Sequence, residues 1–192
     1  RRARAQDRRR AEQSREEETG LHERALLLDR LGESMLLEAE QEGGGLLYVE
    51  LAEAAGLRER IGLLGFERSV AKVGALISSF LGHGEMAARY GNESFLVLSP
   101  ARPVEGVAEL AGQIIDAVAR ERVDARADAA TLVVHVGAAR LGEAFVDPGA
   151  LLAAAERSCA RARSEGIGYA LHEGERQAEA RGAGELVRQA LQ

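Results

Sequence analysis

The stretch from Met86 to Leu98, MAARYGNESFLVL, decides how the whole sequence is interpreted. Two β-prone runs, Met86 to Tyr90 and Phe95 to Leu98, flank Gly91 and Asn92. Glycine and asparagine accept the positive φ that tight turns often require, so both are expected in a turn. The stretch therefore predicts a β-hairpin of two adjacent antiparallel strands.

Upstream of the hairpin, apolar spacing predicts three helices and a strand. Helical spacing from Arg24 to Glu40 indicates a helix that Gly43 to Gly45 would end. A strand is expected at Leu46 to Leu51, then a short helix at Leu57 to Leu64 and a longer helix from Phe66. The longer helix would bury Val70, Val73, Ile77 and Phe80.

Downstream of the hairpin, helices and strands alternate. Pro103 and Pro148 are each placed to begin a helix. The β-branched stretch Thr131 to Val136 predicts a strand, and Ile167 to Leu171 a last one. The two helices would bury Val107, Leu110, Ile114 and Val118, and Leu151, Leu152 and Ala155. The order β-α-α-β-β-α-β-α-β predicts an α+β domain with a mixed central sheet of about five strands flanked by helices.

The overall composition excludes several classes of protein. The 192 residues carry a net charge of -6, which disfavours binding to nucleic acid and to anionic membranes. No apolar run approaches the ~18 residues of a membrane span. The one cysteine, Cys159, excludes an internal disulfide and suits a buried position. A cytoplasmic location is therefore expected.

The two ends of the chain differ from the middle in being polar. Residues Arg1 to Glu18 are highly charged and have almost no large apolar residue, which predicts a solvated helical linker. Residues 173–192 are expected to form a second helical connector. The predicted division is a linker at 1–18, a globular domain at 19–172 and the connector at 173–192.

Four short motifs follow one another along the chain. Thr19 to Arg24 is TGLHER, Arg89 to Phe95 is RYGNESF, Val134 to Gly137 is VHVG, and Leu151 to Gly166 is LLAAAERSCARARSEG. In this order they resemble T-G-L-x-N-R, R-Y-G-G-D/E-E-F, S-I-G and L-x-x-A-D-x-A-L-Y-x-A-K-x-x-G of the GGDEF family, the bacterial diguanylate cyclases. The resemblance covers about Thr19 to Leu171. It implies a fold like the palm of adenylate cyclases and a role in cyclic di-GMP signalling.

The resemblance also implies where a metal site would lie. In the family, acidic residues of the hairpin and a carboxylate of the first strand hold divalent cations that bridge the triphosphate of GTP. By position, these are Glu50 on the strand and Glu93 in the hairpin, while Ser94 replaces the second hairpin acid. Glu50 and Glu93 are candidates for a residual Mg site, with ordinary solvated carboxylates as the alternative.

The signature itself is degenerate, because a neutral hydroxyl is a poor ligand for a hard cation. We expect no functional catalytic residue in it and no bound cofactor, except weakly held Mg with GTP. The signature residues are Gly91, Asn92, Glu93, Ser94 and Phe95.

The implied nucleotide contacts are poorly preserved. The family's phosphate-contacting Lys becomes Ala55, and its guanine-reading Asn becomes Arg58, which has no acceptor for a base edge. Arg163 matches a phosphate-binding Lys, whereas Ile167 replaces a basic residue. Asn92 adds a side chain where Gly would let the backbone approach the nucleotide. Arg58 and Arg163 stay as candidate nucleotide contacts, with salt bridges to nearby glutamates as the alternative.

The family's inhibitory product site also lacks its main residue. That site is an R-x-x-D segment whose Arg pairs with cyclic di-GMP, and the corresponding stretch here is Gly82 to Glu85, GHGE. Without the Arg, we expect the product site to be absent.

Three functions are consistent with this sequence. The preferred one is a catalytically inactive regulatory or interaction module; the others are a GTP-binding sensor controlling an attached EAL domain and a weak diguanylate cyclase. The expected partners are flanking domains, with EAL downstream and a sensor upstream, and a homodimer is left open. Residues 184–191 resemble the I-x-x-A-L segment that leads into EAL domains, as in FimX-like regulators of type IV pili.

Overall fold

The structure, a computed structural model, describes residues 21–37, 43–124, 129–142 and 145–174. Four predicted segments lie outside these ranges. They are the N-terminal linker, Thr19 and Gly20 of the first motif, Glu38 to Glu40 at the end of the first helix, and residues 175–192 of the connector.

The described elements are α1 Arg24–Leu37, β1 Gly45–Leu51, α2 Ala54–Phe80, β2 Met86–Arg89, β3 Ser94–Ser99, α3 Val104–Ala119, β4 Arg122–Asp124, β5 Ala129–Thr131, β6 Val134–Arg140, α4 Pro148–Glu165 and β7 Tyr169–Leu171. Five strands form one sheet in the order β2-β3-β1-β6-β7, and β4 and β5 form a separate pair. Strand β1 is antiparallel to both β3 and β6, and β7 is parallel to β6. This mixed sheet with flanking helices confirms the predicted α+β class.

The sheet is covered on both faces, as the side chains of β1 illustrate. Leu47 and Val49 pack with α2 and α3, whereas Leu46 and Tyr48 pack with α1 and α4. Successive strand residues point to opposite faces, so one strand contributes to both cores. Two residues of the predicted helix stripes, Phe80 and Leu152, are only half-buried. The other nine are buried as predicted: Val70, Val73, Ile77, Val107, Leu110, Ile114, Val118, Leu151 and Ala155.

The strand predicted at Thr131 to Val136 is wrong at both ends. Strand β6 runs from Val134 to Arg140, and Thr131 ends the separate strand β5. The C-terminal half of β6 is rich in small residues, which weakly favour a strand by themselves. They fit because α4 packs against them: a Cβ added to Gly137 would lie 2.0 Å from the backbone nitrogen of Cys159.

The helix after β1 differs from the prediction in its break. Helix α2 begins at Ala54, before the predicted Leu57, and its interruption lies at Gly62 rather than between Leu64 and Phe66. Gly62 has φ 75° and ψ 172°, a conformation that glycine adopts without steric cost. Two helical segments were therefore predicted correctly, but the wrong residue was taken as their boundary.

The hairpin is confirmed, but its turn differs from the prediction. Neither Gly91 nor Asn92 has a positive φ. A longer loop joins the strands instead, closed by hydrogen bonds from the backbone N–H groups of Tyr90 and Gly91 to the carbonyl of Ser94, at 2.8 and 3.2 Å. The last strand begins at Tyr169, two residues later than expected.

Candidate functional site

Three polar side chains meet where β1 ends in the middle of the sheet. Glu50 of β1 is paired in register with Ser94 of β3 and with His135 of β6. Residues directly opposite one another share a face of the sheet, so a carboxylate, a hydroxyl and an imidazole lie side by side. This is the end of the sheet at which the sequence predicted a site.

Arg163 of α4 reaches this group and binds Glu50. Its Nη1 donates to Glu50 Oε2 at 2.8 Å. The Arg163 side chain is 55% exposed and that of Glu50 22%, so the pair lies at the surface of the site. Of the two alternatives for Arg163, a salt bridge to a glutamate is therefore the one present in this structure.

His135 and Cys159 attach the end of α4 to the same strand. The Nδ1 of His135 donates to the carbonyl of Ile167 at 3.0 Å, and the thiol of Cys159 lies 3.2 Å from the carbonyl of His135. Burial, followed by the nearby charge of Glu50, raises the pKa of Cys159 to about 12. Cys159 is thus a buried neutral thiol, as predicted, and His135 has a structural role in joining β6 to the end of α4.

The hydroxyl of Ser94 lies in the protein interior beside Tyr48. Burial raises the pKa of Tyr48, and the Ser94 hydroxyl opposes this rise. Ser94 is buried, and a Cβ added to Gly91 would lie 2.7 Å from its Oγ. The Tyr48 ring in turn contacts Tyr90 edge-on, with centroids 5.9 Å apart.

Glu93 is brought close to the end of β1 through its backbone. Its carbonyl accepts a hydrogen bond from the N–H of Leu51 at 2.9 Å. Nevertheless, in the described ranges no three His, Cys, Asp or Glu residues are grouped so that they could hold a metal ion. Glu50 is bound by Arg163, and Ser94 contributes no charge. This donor set does not fit Mg²⁺, which prefers several oxygen ligands in octahedral geometry.

Two arginines hold the hairpin loop, and sequence reasoning assigned a role to neither. Arg89 donates to the carbonyls of Gly91 and Asn92, at 3.1 and 2.7 Å, and forms an ion pair with Glu67 at 3.0 Å. Arg24 lies 4.4 Å from the centroid of the Tyr90 ring. Both arginines belong to motifs that resemble the family's motifs, and this position was the one sequence signal that could have indicated their role in holding the loop.

The other candidate nucleotide contact, Arg58, lies elsewhere. Its guanidinium is 5.1 Å from the centroid of Phe66 on the same helix, in a cation–π arrangement. Arg58 does not line the cleft beside Arg163. The structure therefore brings Glu50, Glu93 and Arg163 to one end of the sheet and places Arg58 on the outer surface of α2.

An open cleft of about 370 Å³ lies beside Arg163. Glu53, in the left-handed conformation at φ 51°, precedes α2 at its edge. Arg60 lines the cleft and was missed by sequence reasoning, because an exposed arginine on a helix carries no distinguishing pattern. The lining residues are Leu51, Ala52, Glu53, Leu57, Arg60, Thr131, Leu132, Val133, His135 and Arg163.

In the segment aligned with the family's product site, Glu85 joins three parts of the chain by hydrogen bonds. Glu85 accepts hydrogen bonds from Arg102, Ser99 and the N–H of Gly82, at 2.6 to 2.7 Å. Burial raises the pKa of Glu85, but these donors outweigh burial and hold the pKa below its usual value. This carboxylate is fully occupied within the protein.

The family model described as "Diguanylate cyclase, GGDEF domain" matches residues 15–168. The chain belongs to the GGDEF family. It is a GGDEF domain, the type of domain that operates in cyclic di-GMP signalling. Among curated protein sequences, none gives a significant match.

Solved GGDEF structures share this fold. The GGDEF domain of DgcB from Caulobacter crescentus, in complex with c-di-GMP, has a TM-score of 0.73 at 20% identity, covering 84% of this chain and 94% of that one. The FimX GGDEF domain from Pseudomonas aeruginosa has a TM-score of 0.73 at 20% identity, covering 82% and 98%. SiaD from the same organism, in complex with its activator SiaC, has a TM-score of 0.74 at 21% identity, covering 88% and 66%. At these identities the likeness concerns the fold.

Across the described ranges of this GGDEF domain, no helix is both long and apolar enough to span a membrane.

Proposed function

We propose that this GGDEF domain is catalytically inactive and acts as a regulatory or interaction module. The observation that carries the proposal is the environment of Glu50. Its carboxylate faces Ser94 in the strand register and accepts a hydrogen bond from Arg163. A hard divalent cation requires several charged or polar oxygens around it. Here one acidic position is a hydroxyl, and the remaining strand carboxylate already has a cation.

The substrate contacts support the same proposal. Ala55 provides no cation where the family has a phosphate-contacting Lys, and Arg58 lies over Phe66 instead of offering an acceptor to a base edge. Ser94, Ala55 and Arg58 together remove a metal ligand, a phosphate contact and the base reader. Loss at three functionally different positions favours inactivity over a single compensated change.

Product chromatography tests the proposal. The purified chain is incubated with GTP and Mg²⁺ or Mn²⁺, in parallel with an active GGDEF domain as the positive control. We expect no cyclic di-GMP from the chain, whether Glu93 is retained or changed to Ala. A product peak that grows with time and is abolished by Glu93→Ala would instead identify a weak cyclase.

A GTP-binding sensor that controls an attached EAL domain is the second candidate, and the cleft favours it. Arg60 and Arg163 both line the cleft, so two guanidinium groups border it, and a phosphate group would compete with Glu50 for Arg163. Calorimetric titration with a non-hydrolysable GTP analogue tests this candidate. Binding of the analogue that is weakened by Arg163→Gln would support the sensor function. The absence of a binding signal at millimolar analogue would exclude it.

The domain arrangement is part of the proposal. We expect a linker at 1–18, the GGDEF domain at 19–172 and a connector at 173–192 that leads into an EAL domain, in the manner of FimX-like proteins. SiaD was solved in complex with its activator SiaC, so a protein that contains a domain of this fold binds a regulatory partner, which supports the proposal. The full-length gene tests the arrangement, because a coding region of another type downstream would contradict it.

A further inference from the structure

Three large apolar side chains are exposed at the end of the sheet opposite Glu50. Leu36 and Leu37, the last residues of α1, are 84% and 72% exposed, and Val146, just before α4, is 91% exposed. We call Leu36, Leu37 and Val146 the exit patch. Burying side chains of this size against another apolar surface lowers the free energy of the protein.

Leu36 and Val146 lie on one edge of the domain, because α1 and the start of α4 touch there, and Leu37 is the next residue of α1 after Leu36. A Cβ added to Gly32 would lie 3.8 Å from Cγ of Pro148. Leu36 follows Gly32 by one helical turn on the same face of α1. Val146 precedes Pro148 by two residues. Leu36 and Val146 therefore adjoin the same helix contact.

The C-terminal chain leaves the sheet beside this patch. Strand β7 is parallel to β6, so both strands end at the same edge of the sheet. After β7, the ring of His172 packs 5.6 Å from that of Phe145, the neighbour of Val146. Arg161 also donates to the carbonyl of Leu171 at 2.8 Å, which fixes the path of the chain as it leaves.

We propose that residues 184–191, GELVRQAL, pack on the exit patch of the same chain. Leu186, Val187, Ala190 and Leu191 are spaced i, i+1, i+4 and i+5, a spacing that would place them on one side of a helix. The chain from Gly174 to Leu186 can reach up to ~40 Å when extended, which is more than enough to return to the patch. This inference is independent of whether the domain is catalytic.

The N-terminal residues are a poorer occupant of the patch. Residues 1–18 contain no large apolar side chain. The described chain also enters the domain far from the patch, since His22 pairs with Ala88 of β2 beside the signature hairpin. Composition and position therefore both favour the C-terminal segment.

Hydrogen exchange on the 192-residue chain tests the proposal through a matched pair of variants. Leu36→Ser with Leu37→Ser removes the patch, while Leu63→Ser with Leu64→Ser makes the same chemical change at two exposed leucines of α2. We expect amides 186–191 to be protected in the parent chain and in the α2 variant, and to exchange at random-coil rates in the patch variant. Random-coil exchange of 186–191 in the parent, or equal protection in both variants, overturns the proposal.

The reverse substitution provides a second, independent measurement. Leu186→Ser with Leu191→Ser should speed exchange of amides 35–37 and 145–147 and lower the Tm by about 3 °C. Both effects should be the same at high and low protein concentration. Protection that disappears on dilution would assign the patch to a second copy of the chain and would overturn intramolecular packing.

Discussion

At the scale of single residues, the main effect of the ion pair between Glu50 and Arg163 is to neutralise the candidate metal ligand Glu50, and its effect on stability is small. A half-exposed ion pair contributes less than about 1 kcal/mol, because solvent and salt screen it. The two residues are 113 positions apart, so spacing along the chain could not predict their contact. The family resemblance assigned both to one site, and the structure adds that they bind each other.

Changing Arg163 to Gln should expose Glu50 to cations. We expect the variant to bind Mn²⁺ several-fold more tightly than the parent, because Glu50 loses its internal cation, while the free energy of unfolding falls by less than about 1 kcal/mol. Titration followed by the electron paramagnetic resonance of free Mn²⁺ measures this. The double variant Glu50→Gln with Arg163→Gln is the control and should lose the gain. Equal Mn²⁺ affinity in parent and single variant would refute the counter-ion role.

Glu85 offers a prediction about acid stability. Its pKa in the folded protein is lowered, so it contributes stability above its unfolded pKa and loses it as the pH falls through the folded pKa. Glu85→Gln should reduce the free energy of unfolding by about 2 to 4 kcal/mol at pH 7, since it removes the charge that binds half-buried Arg102 and weakens the bond to buried Ser99. The difference between variant and parent should shrink below pH 4.

Urea unfolding at pH 7 and pH 3 measures this difference. Glu59→Gln, a change of an exposed carboxylate on α2, is the matched control and should have little effect at either pH. A Glu85→Gln deficit that stays constant across this range would show that the carboxylate charge is not responsible.

At the scale of secondary-structure elements, the sequence predicts elements that bury a regular apolar stripe. The helix after Pro103 has Val107, Leu110, Ile114 and Val118 at helical spacing, and all four are buried. Strand β6 escapes prediction beyond Val136 because its residues are small, and their suitability depends on how closely α4 approaches. The break in α2 was misplaced because Gly62 and Gly65 look alike in sequence, and only Gly62 has a positive φ.

The contact between β6 and α4 gives a prediction at this scale. Gly137→Ala should destabilise the domain by about 3 kcal/mol or more, because the new Cβ would meet the carbonyl of Ala155 at 2.1 Å as well as the backbone of Cys159. Gly112→Ala in α3 is the matched control, since nothing lies within 4 Å of an added Cβ there. It should stabilise by about 0.5 to 1 kcal/mol. Thermal and urea unfolding followed by circular dichroism distinguishes the two, and a mild loss for Gly137→Ala would mean that α4 can move away.

At the scale of the whole molecule, we expect that the isolated chain does not bind cyclic di-GMP, because the segment aligned with the family's product site lacks its arginine. Gly82 provides no guanidinium for the ligand, and the carboxylate of Glu85 is committed to Arg102. Calorimetry on the 192-residue chain should detect no binding. A low-micromolar dissociation constant for this chain would contradict the prediction, whereas binding by an attached EAL domain would not.

The short bridge between His22 and Ala88 also bears on whether the sheet can pair with a strand from another molecule. Strand β2 lies at one margin of the sheet, and an uncovered margin invites pairing with a strand from another molecule. The backbone N–H of His22 donates to the carbonyl of Ala87 at 2.9 Å, so part of this margin is already satisfied from within the chain. His22 thus leaves less of the β2 edge open to intermolecular strand pairing, which is a common first step of aggregation.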